Sequence, residues 1–192
     1  MHRMNRVLCG VMAVAIAASL AVPASATTLR RMGLEELVAS NRTIVVGQVL
    51  DARSYWNKDK TFILTDVRIA VNEVVKGDVQ GQEIKVTIQG GRVGDLTTLI
   101  MGGPELFPGK SYLLFLNEEK LPGGKFQTVR DLCQGAFDLV IGEGGLRAVS
   151  QANRHPLIPD RLGYIDAPGG VEGVPFNAMI QSIRGLAGGE VN

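Results

Sequence analysis

Five large apolar residues in a row, Tyr112-Leu113-Leu114-Phe115-Leu116, follow the turn signal Pro108-Gly109 with only Lys110 and Ser111 between. So short a run behind a turn is a strand rather than a helix, and with no polar alternation it must be covered on both faces. The chain is thereby constrained to a layered fold with this strand at its centre.

The remaining periodicities fit that plan. Thr43 to Leu50 is dense in β-branched residues, and Gly47 in its middle predicts a bulge or sharp bend. A polar loop carrying Tyr55, Trp56, Asn57 and Asp59 leads to a long strand from about Thr61 to Val75. There Val67, Ile69 and Val71 alternate with Asp66, Arg68 and Asn72. Glu83 to Gln89 alternates without error. Gly90 to Pro108 holds five glycines and two prolines, which predicts an irregular excursion with one short strand near Thr98 to Met101. Pro122-Gly123-Gly124 turns into a strand from Phe126 to Arg130, and Phe137–Ile141 and Leu146–Val149 are joined by Gly142-Glu143-Gly144-Gly145.

Helical spacing occurs only near the two ends. Leu34, Leu37 and Val38 predict a short helix closed by Ser40-Asn41, with Glu35 and Glu36 favouring its N-terminal end. Residues 150–173 are rich in proline and glycine and read as an extended strap. A C-terminal helix over 175–187 then carries Phe176, Met179, Ile180 and Ile183 on one stripe. The fold class is therefore mainly β, a small antiparallel barrel or sandwich of five to seven strands with a short helix near each end.

Residues 1–26 read as a secretory signal peptide. Arg3 and Arg6 precede an uncharged apolar run from Val7 to Val22, Pro23 breaks it, and Ala24-Ser25-Ala26 offers a small-residue cleavage pattern before Thr27. The run is about 16 residues, short of the roughly 20 that a membrane span needs. Cys9 lies ahead of the run and lacks a preceding small residue, which argues against lipidation. The expectation is an exported protein, periplasmic or extracellular, with one β-barrel domain over 27–192.

Cleavage would leave 18 basic against 19 acidic residues and no run of like charge, so nucleic acid and anionic membranes lose their usual electrostatic pull. Cys133 would be the sole cysteine, which precludes an internal disulfide, and its apolar flanks suggest a buried, inert thiol. With His155 the sole histidine, neither a multi-histidine metal site nor a histidine triad in an ordered strand end can be assembled. Gly90-Gly91-Arg92-Val93-Gly94 follows a strand but opens no helix and matches neither phosphate-loop spacing, so turns and bulges explain it. Glu118-Glu119, Asp131 and Asp138 show no pairing that assigns acid/base roles. Asn41-Arg42-Thr43 fits a glycosylation sequon. Tyr55 and Trp56 are candidate partner-contact residues, with capping of the core as the alternative.

The succession Thr43 to Val49, then Val71-Asn72-Glu73-Val74-Val75-Lys76-Gly77, then Pro108 to Leu116 resembles a group of uncharacterised bacterial secreted proteins. It is also similar to the netrin-like domain of the tissue inhibitors of metalloproteinases, over roughly Thr43 to Val140. The resemblance implies an OB-type barrel and, as one reading, inhibition of an exported metalloprotease through the free N-terminus at Thr27 and Thr28. This chain departs from those inhibitors in having Thr27-Thr28 where they have a chelating N-terminal cysteine, and in lacking the disulfides that pin that segment. The leading expectation is an exported, non-enzymatic binding or interaction domain without a cofactor. A metalloprotease partner is the alternative, and an enzyme site assembled from Asp, Glu or Arg is a third possibility.

Overall fold

The computed structural model describes residues 30–154 and 173–189. The expected signal segment, Thr27, Thr28, His155 and most of the expected strap lie outside the described residues.

A short helix, α1 (Leu34–Ser40), leads into two 14-residue strands, β1 (Thr43–Trp56) and β2 (Ile63–Lys76), and then β3 (Glu83–Gln89). The excursion after β3 holds a small hairpin, β4 (Gly91–Val93) with β5 (Leu96–Thr98). Next come β6 (Ser111–Leu121), β7 (Gly124–Val129), β8 (Ala136–Gly142) and β9 (Gly145–Ser150). A 3₁₀ turn over Gln151–Arg154, the two-residue β10 (Val174–Pro175) and the helix α2 (Phe176–Gly188) complete the described chain.

Eight strands form one antiparallel sheet in the order β10-β9-β8-β6-β1-β2-β3, with β7 also paired to β6. β6 is central, as its sequence requires. Val45 opposes Leu114, while Ile44 and Val46 oppose Phe115 and Leu113. Tyr112, Leu114 and Leu116 then enter one buried cluster and Leu113 and Phe115 the other.

Three register shifts between β1 and β2, one of them at Val46/Gly47, bend the sheet so that β2 and β3 curl over β6. Gly47 is required by close approach rather than by its dihedrals: a Cβ there would lie 2.6 Å from the Ala70 carbonyl oxygen. Val67, Ile69 and Val86 thereby meet Leu114, Leu116 and Val129, and the first cluster is sealed chiefly by strands of the same sheet.

The expectation of a barrel is corrected here, because the sheet does not close. β3 comes near β7 but exchanges no ladder hydrogen bonds with it. The reason lies in β6, whose second edge is divided. Leu116–Leu121 pairs with β7 and Tyr112–Leu114 pairs with β8, so β8, β9 and β10 carry the sheet outward instead of round. The described strands also exceed the expected five to seven, since β4, β5 and β10 are too short for periodicity to show.

The other face is covered by the two helices. Leu37 and Val38 of α1 and Met179, Ile180 and Ile183 of α2 pack on Ile44, Val46, Leu113 and Phe115. α1 ends on hydrogen bonds from Asn41 Nδ2 to the Leu37 carbonyl (2.7 Å) and from Lys76 Nζ to the Val38 carbonyl (2.6 Å), which satisfy carbonyls at its negative end. Asn41 is 1% exposed and committed to that cap, so the sequon at Asn41 is no acceptor in the folded protein.

Candidate functional site

The helix face is incompletely filled. A half-open cavity of about 270 Å³ lies where the chain entering α1 meets the β8–β9 hairpin and α2. Its apolar wall consists of Met32, Leu34, Leu37, Phe137, Ala148 and Met179. Phe137 pairs with Ser150 across the hairpin, which places them on the same side of the sheet. Arg31, Ser150 and Asn153 supply polar atoms at the wall.

Gln134, only 3% exposed, builds one side of this cavity by acting as a surrogate peptide group. Its Oε1 accepts the Met32 N–H at 2.8 Å and its Nε2 donates to the Arg30 carbonyl at 3.1 Å. Residues 30–32 are thus tied to the body of the fold without a strand ladder or a disulfide. Arg31 lies between the two tied positions, half-buried beside an apolar wall. Neither its guanidinium nor the Ser150 hydroxyl takes part in a hydrogen bond or ion pair among the described residues.

A second buried glutamine repeats the device. Gln151 accepts the Glu105 N–H (2.9 Å) and donates to the Glu105 carbonyl (2.9 Å) and to Asp138 Oδ1 (2.8 Å), which fastens the glycine-rich excursion to β8. Arg154 pairs with the other oxygen of Asp138. Glu105, Gln151 and Arg154 border a smaller pocket of about 160 Å³ that Cys133 also lines. The thiol is 2% exposed and burial pushes it up to about 11, so it is held as a neutral, unreactive group.

Tyr55 and Trp56 do not stand in a loop. They end β1, opposite Leu64 and Ile63, and both are half-buried. The loop expectation failed because the hairpin turn is compressed onto Asn57, whose Oδ1 accepts the N–H groups of Thr61 (2.9 Å) and Phe62 (3.1 Å). The Tyr55 hydroxyl donates to Asp66 Oδ1 at 3.0 Å; burial first, then the Asp66 hydrogen bond and charge, pushes it up to about 12. Asp66 also accepts from Thr87 (2.7 Å) and pairs with Lys85 (3.1 Å). Burial opposes its ionisation, but these three partners outweigh that and hold its carboxyl below the usual value.

The acidic residues singled out from the sequence fall in separate places. Glu119 pairs with Arg130, and burial, the largest influence, raises its carboxyl despite that partner. Glu118 faces Lys125, Asp131 meets Arg130, and Asp138 belongs to the Gln151 cluster. Among the described residues no three His, Cys, Asp or Glu side chains gather as a metal ion would need, and no helix is long and apolar enough to cross a membrane.

Arg31, Gln134 and Ser150 carry no sequence motif. The one local signal is Arg30-Arg31 just ahead of a helix start: Arg30 pairs with Glu36 of the first turn, which leaves Arg31 as the cation that runs against the helix dipole. No family model matches the chain, and no curated protein matches it either.

Proposed function

We propose that this is an exported binding domain, delivered by cleavage of residues 1–26 to the periplasm or the cell exterior, which binds its ligand or partner without transforming it. The observation that carries this reading is the cavity between residues 31–37, the β8–β9 hairpin and α2. It combines an apolar wall with a small number of polar groups, the usual composition of a recognition site. The test is recovery of the C-terminally tagged protein from envelope and culture fractions, with N-terminal sequencing and mass spectrometry of what accompanies it. A chain beginning at Thr27, carrying a specific ligand or partner that Ser150→Phe no longer retains, is the expected result. Turnover of a substrate by the purified protein, or identical companions for both variants, would overturn it.

A second reading, an inhibitor of an exported metalloprotease, is favoured by the Gln134 clamp. In this reading Gln134 does the work of the missing disulfides by holding Arg30 and Met32 a few residues after the expected N-terminus. It requires that an extra residue ahead of Thr27 abolish inhibition, because the chelating amine would be displaced. Unchanged inhibition after that extension would rule the mechanism out.

A further inference from the structure

Resting on the binding reading above, we infer that the cavity takes a small anionic amphiphile, a monocarboxylate with an apolar body of about six or seven carbons. Size sets the first limit. At about 30 Å³ per water-sized unit, a volume of about 270 Å³ admits roughly nine non-hydrogen atoms, too few for a folded partner element or a long acyl chain.

The wall chemistry sets the second limit. Met32, Leu37, Phe137 and Met179 present carbon and sulfur, so most of the ligand must be apolar to compensate for displaced water. The third limit is charge. Arg31 lines the cavity, is half-buried and has no ion pair among the described residues, and the Ser150 hydroxyl on the hairpin makes no hydrogen bond among them. A guanidinium in partly apolar surroundings is best satisfied by a planar anion that it can meet through two N–H groups, which is the geometry of a carboxylate.

The position of Arg31 is also preorganised. The residues on both sides of it are held through their backbone by Gln134, so little backbone freedom is left to lose when an anion binds. A neutral alcohol of the same length would gain the apolar contacts alone. An amine would bring a second cation towards Arg31.

The experiment is calorimetric or NMR-detected titration of the exported protein with octanoate, 1-octanol and octylamine. Octanoate should bind with Kd on the order of 0.1–1 mM, as expected for a ligand of about ten non-hydrogen atoms, octanol about tenfold more weakly, and octylamine least. Arg31→Gln should weaken octanoate about tenfold and leave octanol unchanged, while Ser150→Phe, which fills the cavity, should abolish both. Thermal melts of both variants report whether they fold, and octanol binding to Arg31→Gln is an internal check of an intact cavity. Octanol or octylamine binding as tightly as octanoate, octanoate binding indifferent to Arg31→Gln, or no binding of any of the three overturns the inference. Because the pull-down does not depend on carboxylates, a partner recovered there with no octanoate binding would remove the ligand class and leave the binding function standing.

Discussion

The two faces of the central strand β6 are closed in different ways. On one, Tyr112, Leu114 and Leu116 are covered mainly by strands of their own sheet, curled over through the bulges of β1. On the other, Leu113 and Phe115 are covered by helices from opposite ends of the described chain. Strand curl seals its cluster with neighbours held in register by ladder hydrogen bonds. Helices laid over a sheet meet it at a few side chains, and at their margin the cavity remains. The larger cavity, about 270 Å³, therefore lies on the helix-covered face, and a smaller one of about 50 Å³ borders the strand-covered cluster beside Ile88 and Val129.

Removing α2 should have the largest effect. Truncation after Gly173 strips Met179, Ile180 and Ile183 from the second cluster, each contributing about 1.5–3 kcal/mol as an upper estimate. Their sum rivals the roughly 5–15 kcal/mol of net stability typical of a domain. The truncated protein should be insoluble or should lose its cooperative melt by circular dichroism. A soluble product with unchanged melting would show that the sheet face is stable uncovered.

Two leucine truncations sharpen the contrast. Leu114→Ala in the sealed cluster should fall in the upper part of the about 2–5 kcal/mol range for such changes, because neighbours held in ladders cannot collapse into the space. Leu37→Ala, at a wall already bordering a cavity, should fall in the lower part. Urea unfolding measures both, and equal costs would dissolve the distinction.

Gln134→Ala should cost about 1–3 kcal/mol, since it leaves the Met32 N–H and the Arg30 carbonyl without their partners. Limited proteolysis should then cut between Arg30 and Gly33 in the variant and spare the parent. The smallest effects concern titration. Tyr55, raised to about 12 by burial and Asp66, contributes stability that is complete below the ordinary tyrosine value near 10 and lost as pH climbs towards 12. Asp66, held below its usual value, contributes stability present above about pH 4 and lost on acidification through its lower folded value. Tyr55→Phe should accordingly flatten the alkaline decline in melting temperature, and Asp66→Asn the acid one.

What could be read from the sequence follows the same division. The apolar run at Tyr112–Leu116, the alternation at Glu83–Gln89 and the stripe on α2 were all legible, because burial imposes a short period on contiguous residues. The bulge at Gly47 was legible because nothing larger fits beside Ala70. The open sheet was not, since it depends on β6 dividing one edge between β7 and β8, which no local pattern encodes. The cavity was invisible for a related reason: Arg31, Leu37, Phe137, Ser150 and Met179 come from four separate stretches, and Gln134 is a polar residue whose burial depends on distant backbone. Tyr55 and Trp56 were misplaced because an asparagine turn looks like a longer polar loop.

Whether the loosely closed face is the binding face can be read directly from amide chemical-shift changes in the ¹⁵N-labelled protein as octanoate is added. The expected result is saturable shifts confined to Arg31, Met32, Leu37, Phe137, Ala148, Ser150 and Met179, with Val67, Val86 and Leu114 of the sealed cluster unmoved. Shifts centred on Tyr55, Trp56 and Asp66, or on the excursion around Leu99 and Met101, with the cavity residues silent, would contradict it.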